Sequence, residues 1–236
     1  MKERNPAQII RLDGKNVFLE VMNNAFGIGK VQINFIEYDA TKETKSRILK
    51  NIPIYIDMDK FLVLTHDILS GRMAVLAKKA QEAKVKGGYK YAKEIYQDLG
   101  GITAEKLKKR GKERPDGMSL SRQFKITPGD KLPWILSAEM GPGKENEKGL
   151  IVPQGHPEEI VRVPLSDDDF KRFALVVQKH IEAYYASQYE NEAIKEWNKM
   201  KEQFETIKPI MNGLTKYLRQ QGVSITFPKT EKVAQK

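Results

Sequence analysis

The chain has 236 residues, 40% of them hydrophobic and 31% charged, with a formal net charge of +10 and no cysteine. That length supports one large core or two small ones, and no apolar run approaches the roughly 18 residues of a membrane-crossing helix, so a soluble protein is expected. The lack of cysteine excludes disulfides, thiolate nucleophiles and cysteine-held zinc and fits a reducing cytoplasm, while the charged opening MKERNPAQIIRLDGK carries no apolar core of a secretory signal.

Val17 to Met22 alternates apolar and polar residues as a strand does, the NNAFGIG stretch turns the chain, and Lys30 to Tyr38 alternates again with β-branched and aromatic residues. After a polar loop, SRILKNIPIYID reads as a third and a fourth short strand. Asp57 or Asp59 then opens a helix expected to reach about Lys84, with Phe61, Leu64, Ile68, Met73, Leu76 and Ala80 near helical spacing. The following segments, GGYKYAKEIYQDLGG and ITAEKLKKRGKERPDG, read as a connection with short helices bounded by glycine pairs. This connection is strongly basic: from Lys78 to Arg114 there are twelve Lys or Arg against five acids. Such a concentration attracts polyanions, of which nucleic acid is the usual one; the alternative is a solvated lysine-rich face.

The second half repeats the recipe. SLSRQFKIT (119–127) is a strand, TPGDKLP a turn, Trp134 to Met140 a strand, GPGKENEKG a loop, and Leu150 to Pro153 and Ile160 to Leu165 two further strands. Ser166 with Asp167, Asp168 and Asp169 caps a helix through about Tyr189. With Phe61 set over Phe170, Ile54 falls on Val163, Ile56 on Leu165, Asp59 on Asp168 and Ile68 on Val177, so a strand-to-helix unit occurs twice. The expected fold is α+β: a first ββββα repeat (1–84), a basic connecting segment (85–118), a second ββββα repeat (119–190) and a C-terminal helical extension with a basic tail (191–236). In the extension, Ile194, Trp197, Met200, Phe204, Ile207, Met211, Leu214 and Leu218 recur at spacings of three and four, interrupted by Pro209. This stripe is either core packed on the molecule's own sheets or an oligomerisation face anchored by Trp197 and Phe204. A last strand, VSITF, follows Gly222.

The paired strand-to-helix junctions IYIDMDKF and VPLSDDDF, within the tandem ββββα pattern, resemble the Whirly and PUR families and the positive-cofactor-four type of coactivator. That resemblance is architectural, covers about residues 15–190, and implies a pseudo-twofold pair of twisted antiparallel sheets that bind single-stranded DNA or RNA in replication, DNA transfer or transcription. The long basic insertion and the C-terminal helices depart from the family pattern.

Strand parity gives an independent account of an open face. Val17, Leu19 and Val21 point one way, as do Ile54 and Ile56, which suits burial under a helix. The opposite face then offers Phe18, Tyr55 and either Lys30, Gln32, Asn34 and Tyr38 or their alternates, with Arg47 and Lys50 nearby. In the second repeat Arg122, Phe124, Lys125, Trp134 and Arg162 are the candidates, and Lys106, Lys108, Lys109 and Arg110 supply cations from the connection. Aromatic rings interleaved with cations are what a single strand needs, because unpaired bases stack and phosphates require positive charge.

No catalytic pattern competes. His66, His156 and His180 lack metal-ligand or triad spacing, Asp167 to Asp169 diverge around a helix start, and GIGK at 27–30 lacks the phosphate-loop frame. The expectation is a non-catalytic, cytoplasmic protein that binds single-stranded nucleic acid without cofactor or metal and forms a homodimer. The competing expectation is a protein–protein scaffold.

Overall fold

The computed structural model describes residues 5–223. The chain divides into a unit that ends at Tyr184 and a second that starts at Tyr185.

The first unit is α+β with two antiparallel sheets. One sheet has the order β1 (Gln8–Asp13), β2 (Val17–Met22), β3 (Lys30–Tyr38), β4 (Ile48–Asp57). The hairpin into β2 needs Asn16 at φ 57°, a left-handed position that asparagine tolerates. Two readings change here. The segment expected to hold a third and a fourth strand is one ten-residue strand that pairs with β3 from Tyr38↔Ile48 to Lys30↔Asp57, and the remaining strand is β1, upstream of all of them. Pro53 is tolerated inside β4 because β4 is an edge strand with only one ladder to satisfy.

β4 runs straight into α1 (Met58–Leu69). The helix expected to continue to Lys84 is broken at Gly71, whose φ of 82° no other residue adopts cheaply, and resumes as α2 (Arg72–Gly87). The basic connection then supplies β5 (Tyr96–Ile102), where short helices were expected, and one short helix, α3 (Ala104–Lys109). Thr103 caps α3 by accepting a hydrogen bond from the Lys106 amide at 3.3 Å.

The second sheet is β5, β6 (Ser119–Pro128), β7 (Trp134–Glu145), with β9 (Glu159–Leu165) along the first half of β7 and β8 (Ile151–Pro153) along its last three residues. The stretch GPGKE, expected to be loop, is the second half of β7; Gly143 is required there because an added Cβ would lie 2.6 Å from the Ile151 side chain and 2.9 Å from Ser121. β9 leads into α4 (Asp167–Gln220), which Ser166 caps by accepting from the Asp169 amide at 3.1 Å and donating to its carboxylate at 2.9 Å.

The inner faces of both sheets, α1 and the start of α4 share one apolar core. Phe35 of the first sheet lies 6.0 Å from Phe124 of the second, and Phe61 of α1 lies 5.2 Å from Phe173 of α4. Leu19, Val21, Ile54 and Ile56 all face this core, as expected, and so do the aligned partners Val163, Leu165, Phe170 and Val177. Beyond Tyr184, α4 continues through 220 rather than stopping near Tyr189, since the segment is rich in Glu and Lys and free of Gly and Pro until Pro209. Its stripe is exposed: Trp197 at 64% and Phe204 at 58%. The strand expected after Gly222 and the basic tail lie outside the described residues. No described helix is long and apolar enough to cross a membrane.

Candidate functional site

The free edge of the first sheet, β4, passes beside the ends of β5 and β6, and a cleft of about 810 Å³ opens between them. One wall is Pro53, Tyr55 and Asp57 of β4 with Lys30 of β3 and Lys60 of α1. The floor includes Asp98 and Gly100 of β5 and Arg122 of β6, and the far wall is α3 and the turn after it, with Lys106, Arg110 and Lys112. Seven cationic residues line the cleft against two acids.

Ion pairing sorts these charges. Lys30 donates to Asp57, and Lys60 lies 3.2 Å from Asp57 and 3.4 Å from Asp98. The Lys30 hydrogen bond, reinforced by Lys60, holds the Asp57 carboxyl below its ordinary range, and the Asp57 bond in turn raises Lys60. Burial pushes the Asp98 carboxyl up, and the ammonium of Lys60 only partly offsets this. Arg114 is spoken for by Asp116 at 2.6 Å and Glu158 at 2.7 Å. Lys106, Arg110, Lys112 and Arg122 have no carboxylate within ion-pair distance among the described residues, so their field points into the cleft.

Arg122 is the unusual one. Its Nε is buried and makes no hydrogen bond, and burial, together with the nearby Arg110, lowers its pKa. An unmet buried donor costs on the order of 1–3 kcal/mol. Beside it Tyr55 leaves 39% of its surface exposed, a ring face available for stacking.

The cleft therefore brings together five residues marked in the sequence: Lys30, Tyr55, Lys106, Arg110 and Arg122. The others lie elsewhere. Gln32 and Asn34 are on the outer face of the first sheet, but their amides are engaged: Gln32 donates to Asn34 at 2.9 Å, and Asn34 and Gln8 donate to Glu20 at 3.1 and 2.8 Å. Phe18 shares that face and is covered by the Arg11 guanidinium, 3.6 Å from the ring centre, with Tyr38 5.7 Å away. Lys50 pairs with Glu37 at 2.6 Å, and Arg47 donates to the Lys42 carbonyl at 3.2 Å. Lys108 is exposed on α3 without lining the cleft, and Lys109 pairs with Glu105 at 2.6 Å. Lys125 pairs with Glu139 at 2.6 Å, on the face of the second sheet that also carries the exposed Arg162.

Two placements are corrections. Phe124 and Trp134 are not on an open face: Phe124 is fully buried between Phe35 and Tyr96, and Trp134 stacks on Phe170 at 4.4 Å while its indole donates to Asp167 at 3.0 Å. The cause is parity, since β6 places Ser119, Ser121, Gln123 and Lys125 on the face away from the apolar core and Phe124 and Ile126 toward it, and Trp134 follows the same inward row of β7. Sequence reasoning missed Lys60, Lys112 and Asp98. Lys112 was visible within the basic run, whereas Lys60 and Asp98 are joined only by the fold.

Comparison with known protein families, curated proteins and solved structures finds no match to this chain.

Proposed function

We propose that this is a non-catalytic, cytoplasmic protein that binds single-stranded nucleic acid, with the two sheets related as a pseudo-twofold pair and the cleft between β4 and α3 as the anchoring site. One observation carries the reading: four cations with no carboxylate partner among the described residues and an exposed tyrosine ring converge on a single cleft. A phosphodiester in the cleft neutralises this field, and an adjacent unpaired base stacks on Tyr55. The size also favours a single strand, because the cleft is of the order of a small-ligand pocket and admits one or two nucleotides rather than a duplex with its base faces hidden. The exposed stripe of α4 supports a homodimer as the second partner.

The test is fluorescence anisotropy with a labelled 12-mer, single-stranded and as the corresponding duplex, at matched salt. The single strand is expected to bind at least tenfold more tightly, with affinity falling steeply as salt rises. Equal or tighter duplex binding, or affinity insensitive to salt, rejects the proposal and leaves the protein–protein scaffold.

A further inference from the structure

The apolar stripe of α4 has a stricter period than an amphipathic surface helix needs. From Trp197 a series of apolar residues follows at 200, 204, 207, 211, 214 and 218, an unbroken alternation of three and four, with Ile210 and Tyr217 beside it at g. In heptad terms Trp197, Phe204, Met211 and Leu218 occupy a, and Met200, Ile207 and Leu214 occupy d. Pro209 falls at f, on the side away from the seam, where the hydrogen bond it removes disturbs the seam least. A straight helix drifts by about 20° per heptad relative to this repeat, so over this length the stripe turns off any flat surface laid against it. Only a partner that supercoils with the same repeat stays in contact, and another copy of the same helix is such a partner.

We infer that residues 197–218 form a parallel, in-register, two-stranded coiled coil with a second copy of this chain. This rests on the homodimer reading above and adds its direction and register. The flanks decide direction: in a parallel pair the g residue of one helix meets the e residue five positions on in the other, which sets Glu196 against Lys201 and Gln203 against Lys208. An antiparallel pair matches e with e, bringing the Lys201 and Lys208 flanks together, and like charges there are destabilising.

The chain's lack of cysteine makes the test direct. Leu214→Cys in the full chain, under mild oxidation, is expected to run mostly as a covalent dimer, because in-register d positions bring the Cβ atoms within disulfide reach. Thr206→Cys, at c on the outer side, is expected to stay uncrosslinked. A mixture of Met200→Cys and Met211→Cys proteins reports the antiparallel arrangement, since those positions meet only when the helices run in opposite directions. Crosslinking of that mixture, with none at 214, overturns the inference while the homodimer reading stands; trimers or tetramers by sedimentation overturn the two-stranded form. A monomer at tens of micromolar overturns both.

Discussion

Replacing Arg122 with glutamine separates a binding role from a structural one, because the two roles predict opposite changes in stability. If a strand phosphate pairs with the Arg122 guanidinium where it lines the cleft, the variant loses a charge-assisted hydrogen bond worth about 1.5–3 kcal/mol. At about 1.4 kcal/mol per decade that is a roughly 10- to 100-fold loss of affinity. The slope of log affinity against log salt is expected to fall by about 0.7, one phosphate contact on a single strand. The folded protein, in contrast, sheds a guanidinium that burial disfavours and whose Nε finds no acceptor in the fold, so thermal unfolding is expected to be unchanged or a few degrees higher. Anisotropy at 50 to 200 mM salt and a calorimetric scan read both quantities on one preparation. Arg162→Gln, on the opposite face of the same sheet, is the control and stays within twofold of wild type. The reasoning is refuted if Arg122→Gln keeps wild-type affinity and slope, or if its unfolding temperature drops.

Lys106→Gln with Lys112→Gln should lower the salt slope by about 1.4, whereas Lys109→Gln, whose ammonium already pairs with Glu105, should leave it unchanged; equal effects in a salt titration would return α3 to a merely solvated role. Burial raises the Asp98 carboxyl and Lys30 holds the Asp57 carboxyl low, so as pH falls Asp98 takes its proton first and the cleft gains positive charge. Binding is therefore expected to tighten as pH is lowered from neutrality into the carboxylate range, and Asp98→Asn to bind more tightly at pH 7 and to flatten this profile. The same raised pKa means that ionised Asp98 opposes folding, an effect absent in acid and present once pH exceeds the folded-state value, so Asp98→Asn should be the more stable protein at neutral pH and lose that advantage in acid; a pH series of urea melts shows whether it does. Phe124→Ala should cost about 3–5 kcal/mol in urea unfolding with unchanged affinity of the folded fraction, and a specific loss of binding without loss of stability would put its ring back on the ligand.

Local chemistry was readable from the amino acids where one face or one cap decides the outcome. The inward row Leu19, Val21, Ile54 and Ile56 followed from alternation alone, and the Ser166 cap from its place before three aspartates. Reading Phe124 and Trp134 as surface rings gave the attraction of aromatics for bases more weight than the alternation of their own strands, which already set Ser121, Gln123 and Lys125 outward. β5 was hidden because its seven residues include two glycines and mixed polarity, and its strand character comes from β6 beside it. The basic run announced a polyanion site without its location, since the cleft depends on β4 and β5 meeting across about forty residues of sequence.

The placement of α3 has a thermodynamic consequence. It is inserted between two paired strands, β5 and β6, and tied at its start by Thr103 and by the Ser119 hydroxyl, which accepts from the Ala104 amide at 3.1 Å. Its cations are thus held by the sheet before any ligand arrives, and association there immobilises the ligand's bonds and a few lysine side chains but no protein backbone. Such a site is expected to show a small heat-capacity change, an association rate set by diffusion and ionic strength, and no kinetic lag from a folding step. Weak affinity there would then reflect fast dissociation of a short contact, and each further contact along a longer strand would act by lengthening residence.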